Sequence, residues 1–163
     1  MFREMRRKNQ LLTDEECIDI LNSSTSGTLA LLGDNDYPYS VPISYVYNDG
    51  KLYFHSALTG HKIDAINMHS KASFCVIAQD KVVPEKYTTY FRSVIAFGKI
   101  CVIDNDAEKL RAIEILAEKY SPQLAEGRKK EIEDNFSRMC MIELDIEHMT
   151  GKEAKELACM KME

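Results

Sequence analysis

The chain has 163 residues, of which 45% are hydrophobic and 29% charged, and its formal net charge is −5 at pH 7. This length and composition predict a single globular domain, residues 1–163, that is large enough to bury a core. The negative charge disfavours a general nucleic-acid-binding protein. No run approaches the roughly 20 apolar residues of a membrane-spanning helix. We therefore expect no nucleic acid and no membrane among the partners.

The five cysteines are odd in number and form no Cys-x-x-Cys pair. Four of them fall within apolar patterns, which is typical of small, reduced core residues. Free thiols of this kind indicate a cytoplasmic protein. The fifth, Cys159, lies in a polar C-terminal segment. The four that we expect in the core are Cys17, Cys75, Cys101 and Cys140.

The first elements follow a basic N-terminal arm, residues 1–12. Thr13 and Glu16 have the spacing of a capping box, which predicts a helix that runs to about Asn22. The apolar run Gly27–Gly33 then predicts a buried strand.

A β-hairpin is the strongest local prediction. The β-rich runs Ser40–Tyr47 and Lys51–Ser56 flank Asp49-Gly50, and a type I′ turn needs the positive φ that glycine adopts readily. Pro42 would delete a hydrogen bond of the ladder. It therefore indicates a sheet edge, a bulge, or a place where another molecule meets the backbone.

A short helix after the hairpin begins with the unusual sequence Gly60-His61-Lys62. Cations are disfavoured at the positive end of the helix dipole, whereas a phosphate would be held there by free amides and basic side chains. Ser56 and Thr59 would add hydroxyl groups. The alternative is a solvated loop with an ordinary surface lysine.

The second half of the chain reads as three strands and two helices. Gly98 indicates a bend or bulge in the long middle strand, and residues 152–163 read as a polar tail. An amphipathic helix begins at Asp104–Asp106 and stops at Ser121-Pro122, and a polar helical segment covers Gly127–Phe136. The strands are Lys71–Gln79, Tyr90–Ile103 and Met139–Ile146. The order of elements favours a mainly β fold with α-helices, built as a six-stranded antiparallel barrel with flanking helices.

Two further polar positions are site candidates. His55 ends an aromatic-rich strand, and it is either a core-edge histidine or a donor that faces a ligand. Ser93, beside Arg92, lies either on the outward face of its strand or in a site. The spacing of His55, His61 and His69 matches no familiar metal-binding pattern, so we predict no metal site.

The sequence as a whole resembles the pyridoxamine 5′-phosphate oxidase-like, FMN-binding split-barrel family, and most closely its nitroimidazole-resistance branch. The resemblance rests on Pro42-Ile-Ser-Tyr, on Asp49-Gly-Lys-Leu-Tyr-Phe-His-Ser-Ala57, on Gly60-His-Lys62 and on Tyr90–Gly98. It implies a six-stranded antiparallel split β-barrel and a homodimer with FMN at the subunit interface.

The same resemblance implies which residues contact FMN. The backbone of residues 41–45 would lie along the flavin ring, His55 and Ser56 near the ribityl-phosphate side, and His61 and Lys62 at the phosphate. Ser93 would contact the ring or chain, and His55 is the catalytic candidate. The implied cofactor-binding set is Val41, Pro42, Ile43, Ser44, Tyr45, His55, Ser56, His61, Lys62 and Ser93.

The implied activity is an FMN-dependent reductase of small acceptors such as nitro-aromatics, with a nicotinamide as a candidate electron donor. The chain has no Trp and shows no C-terminal substrate block of true pyridoxamine phosphate oxidases, which disfavours that activity. His61 stands where many relatives have Arg. Two alternatives stay open, namely a non-catalytic flavin-binding protein for storage or sensing, and a haem-binding split barrel.

Overall fold

The computed structural model describes residues 2–161 and has a mainly β architecture with α-helices. Seven strands form one antiparallel sheet in the order β2-β1-β5-β6-β7-β4-β3. The strands are β1 (Ser26–Leu32), β2 (Pro38–Ser44), β3 (Val46–Asn48), β4 (Lys51–Ala57), β5 (Lys71–Val83), β6 (Thr88–Val102) and β7 (Met139–Glu153). The α-helices are α1 (Asp14–Ser23), α2 (His61–Met68), α3 (Asp106–Tyr120), α4 (Ala125–Asn135) and α5 (Lys155–Met160).

The two outer strands of the sheet, β2 and β3, are consecutive in the chain and are separated only by Tyr45. The Tyr45 side chain is fully buried, and its hydroxyl donates to the Leu21 carbonyl at 2.8 Å. Tyr120 clamps the backbone at the same point, because its hydroxyl lies 3.1 Å from the Tyr45 amide and 3.0 Å from the Tyr45 carbonyl. The chain therefore changes its strand partner, from β1 to β4, at one fixed residue.

The sheet buries a core on each of its two faces. On the inner face, alternate residues of the strands pack against α1 and α2, and Phe74 makes edge-on contacts with the rings of Tyr45 and Phe54. On the outer face, α3 and α4 cover β3, β4 and one end of β7. That second core consists of Val46, Ile103, Ala112, Ile113, Leu116, Ile132 and Met141.

Three local predictions are confirmed. Thr13 and Glu16 form the reciprocal capping box at the start of α1. Asp49 and Gly50 have φ angles of 47° and 79°, as a type I′ hairpin turn requires. The ladder between β6 and β7 shifts register at Phe97/Gly98, so the glycine marks a bulge.

The prediction of six strands is wrong, because the expected strand Ser40–Tyr47 is divided at Tyr45 into β2, which pairs with β1, and β3, which pairs with β4. Where a polar tail was expected from residue 152, β7 extends to Glu153 and α5 follows. Lys161 binds the carboxylates of Glu153 and Glu16. Met1 and residues 162 and 163 of the predicted domain lie outside the described residues.

The cysteine prediction is confirmed for two of four positions. Cys17 and Cys140 are buried, Cys75 is half-buried, and Cys101 is exposed. Cys101 belongs to the outward-facing half of β6, which explains its exposure, since its neighbours Ile100 and Val102 face the other way. Within residues 2–161, none of the helices combines the length and the apolar character needed to span a membrane.

Candidate functional site

The first turn of α2 lies directly after β4 and presents unpaired backbone amides. Gly60 precedes it with a φ of 124°, and no side chain of the described residues caps the helix. The amides of Ile63 and Asp64 donate to the Gly60 carbonyl at 2.8 and 3.1 Å. The amides of His61 and Lys62 are thus the free donors of this turn, and a Cβ atom built on Gly60 would have no atom within 4 Å. A group with anionic oxygens fits this open, donor-rich turn.

The side chain of His61 is held beside the helix start. Its ring stacks on that of Tyr39, with centroids 4.1 Å apart, and its Nε2 atom lies 3.8 Å from an Asp34 carboxylate oxygen. These contacts turn the imidazole towards β2 and the turn before it. Lys62 has no carboxylate within 4.0 Å in the described chain, so its ammonium group is available to an anion at the helix start.

A slot between β2 and β4 opens next to this helix start. β3 pairs with β4 only as far as Tyr53, and beyond it β4 pairs with β7 alone. β2 pairs with β1 alone, although β2 and β4 lie close to one another. Each strand therefore has one open edge here, and those backbone groups of residues 41–44 that do not bond to β1 are available at this edge. Pro42 lies on this outer strand, as its missing amide predicts.

The slot does not include every residue that was assigned to it. Tyr45 is a core residue, and burial raises the pKa of its hydroxyl. Val41 and Ile43 pack against the inner core, whereas Pro42 is exposed. From β2, the backbone at the open edge and the side chains of Pro42 and Ser44, which do not pack into the inner core, remain for a ligand.

His55 and Ser56 lie on opposite faces of β4. Phe54 is fully buried in the inner core, so strand alternation places Ser56 on the inner side and His55 on the outer side. Ser56 pairs with Cys140 at the end of the strand that leads into α2. The two residues therefore cannot contact one ligand group from the same side of the strand.

The His55 side chain lines a cavity of about 600 Å³ between β4 and the two helices α3 and α4. Its floor is apolar, with Ile113, Leu116 and Ile132 among the lining residues. Arg138, which was not predicted as a site residue, also lines this cavity. Of the site residues predicted from the sequence, His55 alone lines it. A volume of this size is in the range of small-molecule pockets.

Ser93 lies on the outer face of the sheet, away from α2. It pairs with Ile77 of β5 and with Lys152 of β7. The same face carries Ile95 and Phe97, and Phe2 of the N-terminal arm stacks on His148 there, with ring centroids 4.6 Å apart. Ser56, His61 and Lys62 lie at the end of β4 and the start of α2. His61 stacks on Tyr39 near the beginning of β2, so Ser44, the last residue of β2, lies at the other end of that strand. The structure does not bring Ser93 to these residues within one chain.

Two functional candidates had no sequence signal strong enough to single them out. Tyr120 has the apolar spacing of α3, and only the fold shows that its hydroxyl binds the Tyr45 backbone. Arg138 stands in a polar stretch before β7, where a cavity-lining side chain cannot be distinguished from a solvated one. No group of His, Cys, Asp and Glu side chains within residues 2–161 has the arrangement of a metal site.

Several solved structures share this fold. A candidate 5-nitroimidazole antibiotic resistance protein from Bacteroides thetaiotaomicron matches with a TM-score of 0.71 and 21% identity, over 88% of this chain and 86% of that one. A FAD-binding protein from Mesorhizobium loti has a TM-score of 0.67 and 23% identity, over 89% and 97%. A FAD- and haem-binding protein from Mycobacterium smegmatis has a TM-score of 0.74 and 22% identity, over 90% and 74%.

A search of curated proteins finds no match. A family model described as pyridoxamine 5′-phosphate oxidase matches residues 13–153, from the cap of α1 to the last residue of β7. That span contains the whole sheet, the slot and the start of α2. The chain belongs to the pyridoxamine 5′-phosphate oxidase family.

Proposed function

We propose that the protein binds FMN at the slot between β2 and β4 and acts as a flavin-dependent reductase of small acceptors such as nitro-aromatics. The observation that carries the proposal is the open first turn of α2, with Lys62 and two free amides, directly beside two open strand edges. The family membership and the likeness to the FAD-binding protein and the candidate nitroimidazole resistance protein support a flavin as the ligand.

Lys62 and the amides of the first turn would hold the terminal phosphate, because one ammonium group and a helix start suit a single phosphate monoester. The backbone of residues 41–44 would position the ring through its open edge. When bound, the flavin supplies the redox chemistry, and the protein supplies placement and access. His55 is the catalytic residue of the proposal, because its imidazole lines the cavity beside β4, where a small acceptor would have room to bind.

We further propose that the sheet closes as a split barrel at Tyr45 and that two chains form a dimer with FMN at their interface. Ile77, Ile95 and Phe97 expose 67%, 37% and 36% of their surface on the sheet face that carries Ser93. A second chain that covers this face would bury these side chains. It would also give Ser93 a route to a flavin that is bound by the partner.

The first test is an absorbance spectrum of the purified protein before and after FMN is added and free FMN is removed by desalting. Retained flavin bands, with one FMN per chain released on denaturation, are the expected result. Chromatography of the released flavin distinguishes FMN from FAD. A protein that retains no flavin at high concentration overturns the proposal, and a Soret band would replace it with haem binding.

Lys62→Ala should weaken FMN binding by about 1–3 kcal/mol, the range for the loss of a charge-assisted hydrogen bond. The measurement is the Kd from quenching of flavin fluorescence. Lys155→Ala is the matched control, because Lys155 is an exposed lysine on α5. Equal FMN affinity in Lys62→Ala and the wild type would show that the phosphate lies elsewhere.

A further inference from the structure

The cavity between β4, α3 and α4 has the construction of a binding site in its own right. It has a volume of about 600 Å³ and lies on the face of the sheet opposite to the inner core. Ile113, Leu116 and Ile132 contribute its apolar wall, and each of them exposes 7% or less of its surface. A wall of this kind favours a flat apolar group over water.

Basic groups exceed acidic groups around this cavity. Arg128 and Arg138 line it, with Glu131 as the one carboxylate among the lining residues. Neither arginine has a carboxylate within 4.0 Å in the part of the chain that the structure describes. The Glu131 carboxylate accepts a hydrogen bond of 2.9 Å from Asn135 on its own helix. An anion is the ligand charge that this arrangement favours.

The two arginines differ in whether their N–H donors already have partners in the protein. Arg128 donates to the Ser121 carbonyl and so ties α4 to the end of α3. The Arg138 side chain makes no hydrogen bond within residues 2–161, and all five of its N–H donors remain for a ligand. His55 adds a ring nitrogen to the lining of the cavity.

We infer that this cavity binds a small, flat, mainly apolar molecule with one negative charge, such as an aromatic carboxylate, with the anionic group at Arg138 and the ring on the apolar wall. The binding itself needs no cofactor. That the ligand is the acceptor of the reductase rests on the proposed function, because His55 is the residue that the cavity shares with the proposed flavin site.

The test compares 2-naphthoate with its neutral isostere 2-naphthamide by isothermal titration calorimetry on the full-length protein. We expect naphthoate to bind at least about tenfold more tightly, and Arg138→Gln to remove that preference, as the loss of one charge-assisted contact implies. Lys129→Gln is the matched control, because Lys129 is an exposed cation on α4 that does not line the cavity. Its naphthoate affinity should be unchanged.

A second variant tests the place of binding without a change of charge. Ala117→Leu adds volume to the lining of the cavity and should weaken both probes at least about tenfold. Equal affinity for the two probes, no binding of either, or equal losses in Arg138→Gln and Lys129→Gln would each overturn the inference. The outcome is separable from FMN retention: naphthoate binding without retained flavin would leave this site intact and overturn only the flavin proposal.

Discussion

Gly98 occupies the position where the ladder between β6 and β7 shifts register. A Cβ atom at this position would lie 2.0 Å from the Asp145 carbonyl oxygen, which belongs to the backbone of β7 and cannot rotate away. Gly98→Ala should therefore lower the free energy of unfolding by about 3 kcal/mol, at the upper end of the usual cost of overpacking. The measurement is the midpoint of urea denaturation.

Gly127→Ala is the control for this substitution. Gly127 lies within α4, and the nearest heavy atom to its Cβ position, on Leu124, is 4.0 Å away. This variant should gain about 0.5–1 kcal/mol, because alanine loses less conformational entropy in a helix than glycine does. A Gly98→Ala variant as stable as Gly127→Ala would contradict the close packing of the bulge.

Single residues show what the sequence can and cannot predict about the site. The unfavourable position of His61 and Lys62 at the positive end of a helix dipole follows from local sequence, and in the structure α2 begins at His61. The opposite directions of His55 and Ser56 follow from strand alternation as well. What lies on each side, a core or a cavity, depends on α3 and α4, which begin only at Asp106 and Ala125.

At the scale of elements, the break between β2 and β3 depends on the end of α3. The Tyr120 hydroxyl meets the Tyr45 amide and carbonyl and the Thr25 carbonyl, and its one hydrogen can serve only one of the two carbonyls at a time. Lys119 beside it donates to the carbonyls of Leu21 and Ser24 at 3.2 and 2.6 Å. The end of α3 thus holds the end of α1 and the strand break together.

Tyr120→Phe should lower the free energy of unfolding by about 1–3 kcal/mol, because the Tyr45 amide loses its partner. Tyr47→Phe in β3 is the matched control, since the Tyr47 hydroxyl makes no hydrogen bond in the described part of the chain. Thermal unfolding followed by circular dichroism measures both variants. Equal melting temperatures would show that the Tyr120 clamp does not stabilise the fold.

Elements with a local signal were predictable, whereas the strand break was not. The capping box of α1 and the turn at Asp49-Gly50 depend on neighbours within four residues. Residues 38–48 form one continuous β-rich run, and nothing in that run marks Tyr45 as the point of division. The division arises from packing, because Tyr45 inserts between Leu21, Phe74 and Tyr120.

At the scale of the whole molecule, the proposed dimer depends on the exposed sheet face around Ile77. Ile77→Lys should convert a dimer, of twice the chain mass of 18.6 kDa, towards the monomer, because a buried lysine without a partner is costly. Light scattering coupled to gel filtration measures the mass. Leu110→Lys, on the exposed side of α3, is the control and should keep the mass of the wild type.

A wild-type protein that is monomeric at every concentration would contradict the dimer directly. If Ile77→Lys stays dimeric, the interface lies on another face. Loss of FMN together with loss of the dimer is the expected joint result, since Ser93, paired with Ile77, would then no longer reach a flavin of the partner.

The pairing of β4 with β7 has a consequence for how the chain reaches its native state. Lys51 on β4 and Glu143 on β7 are separated by 92 positions, yet they form an ion pair of 2.6 Å in this ladder. Contacts of such long range require most of the loop-closure entropy to be lost before they form, which slows folding. During synthesis, β4 cannot pair with β7 until nearly the whole domain has left the ribosome. In that interval the edge of β4 that later pairs with β7, together with the aromatic side chains of β4, is accessible to chaperones.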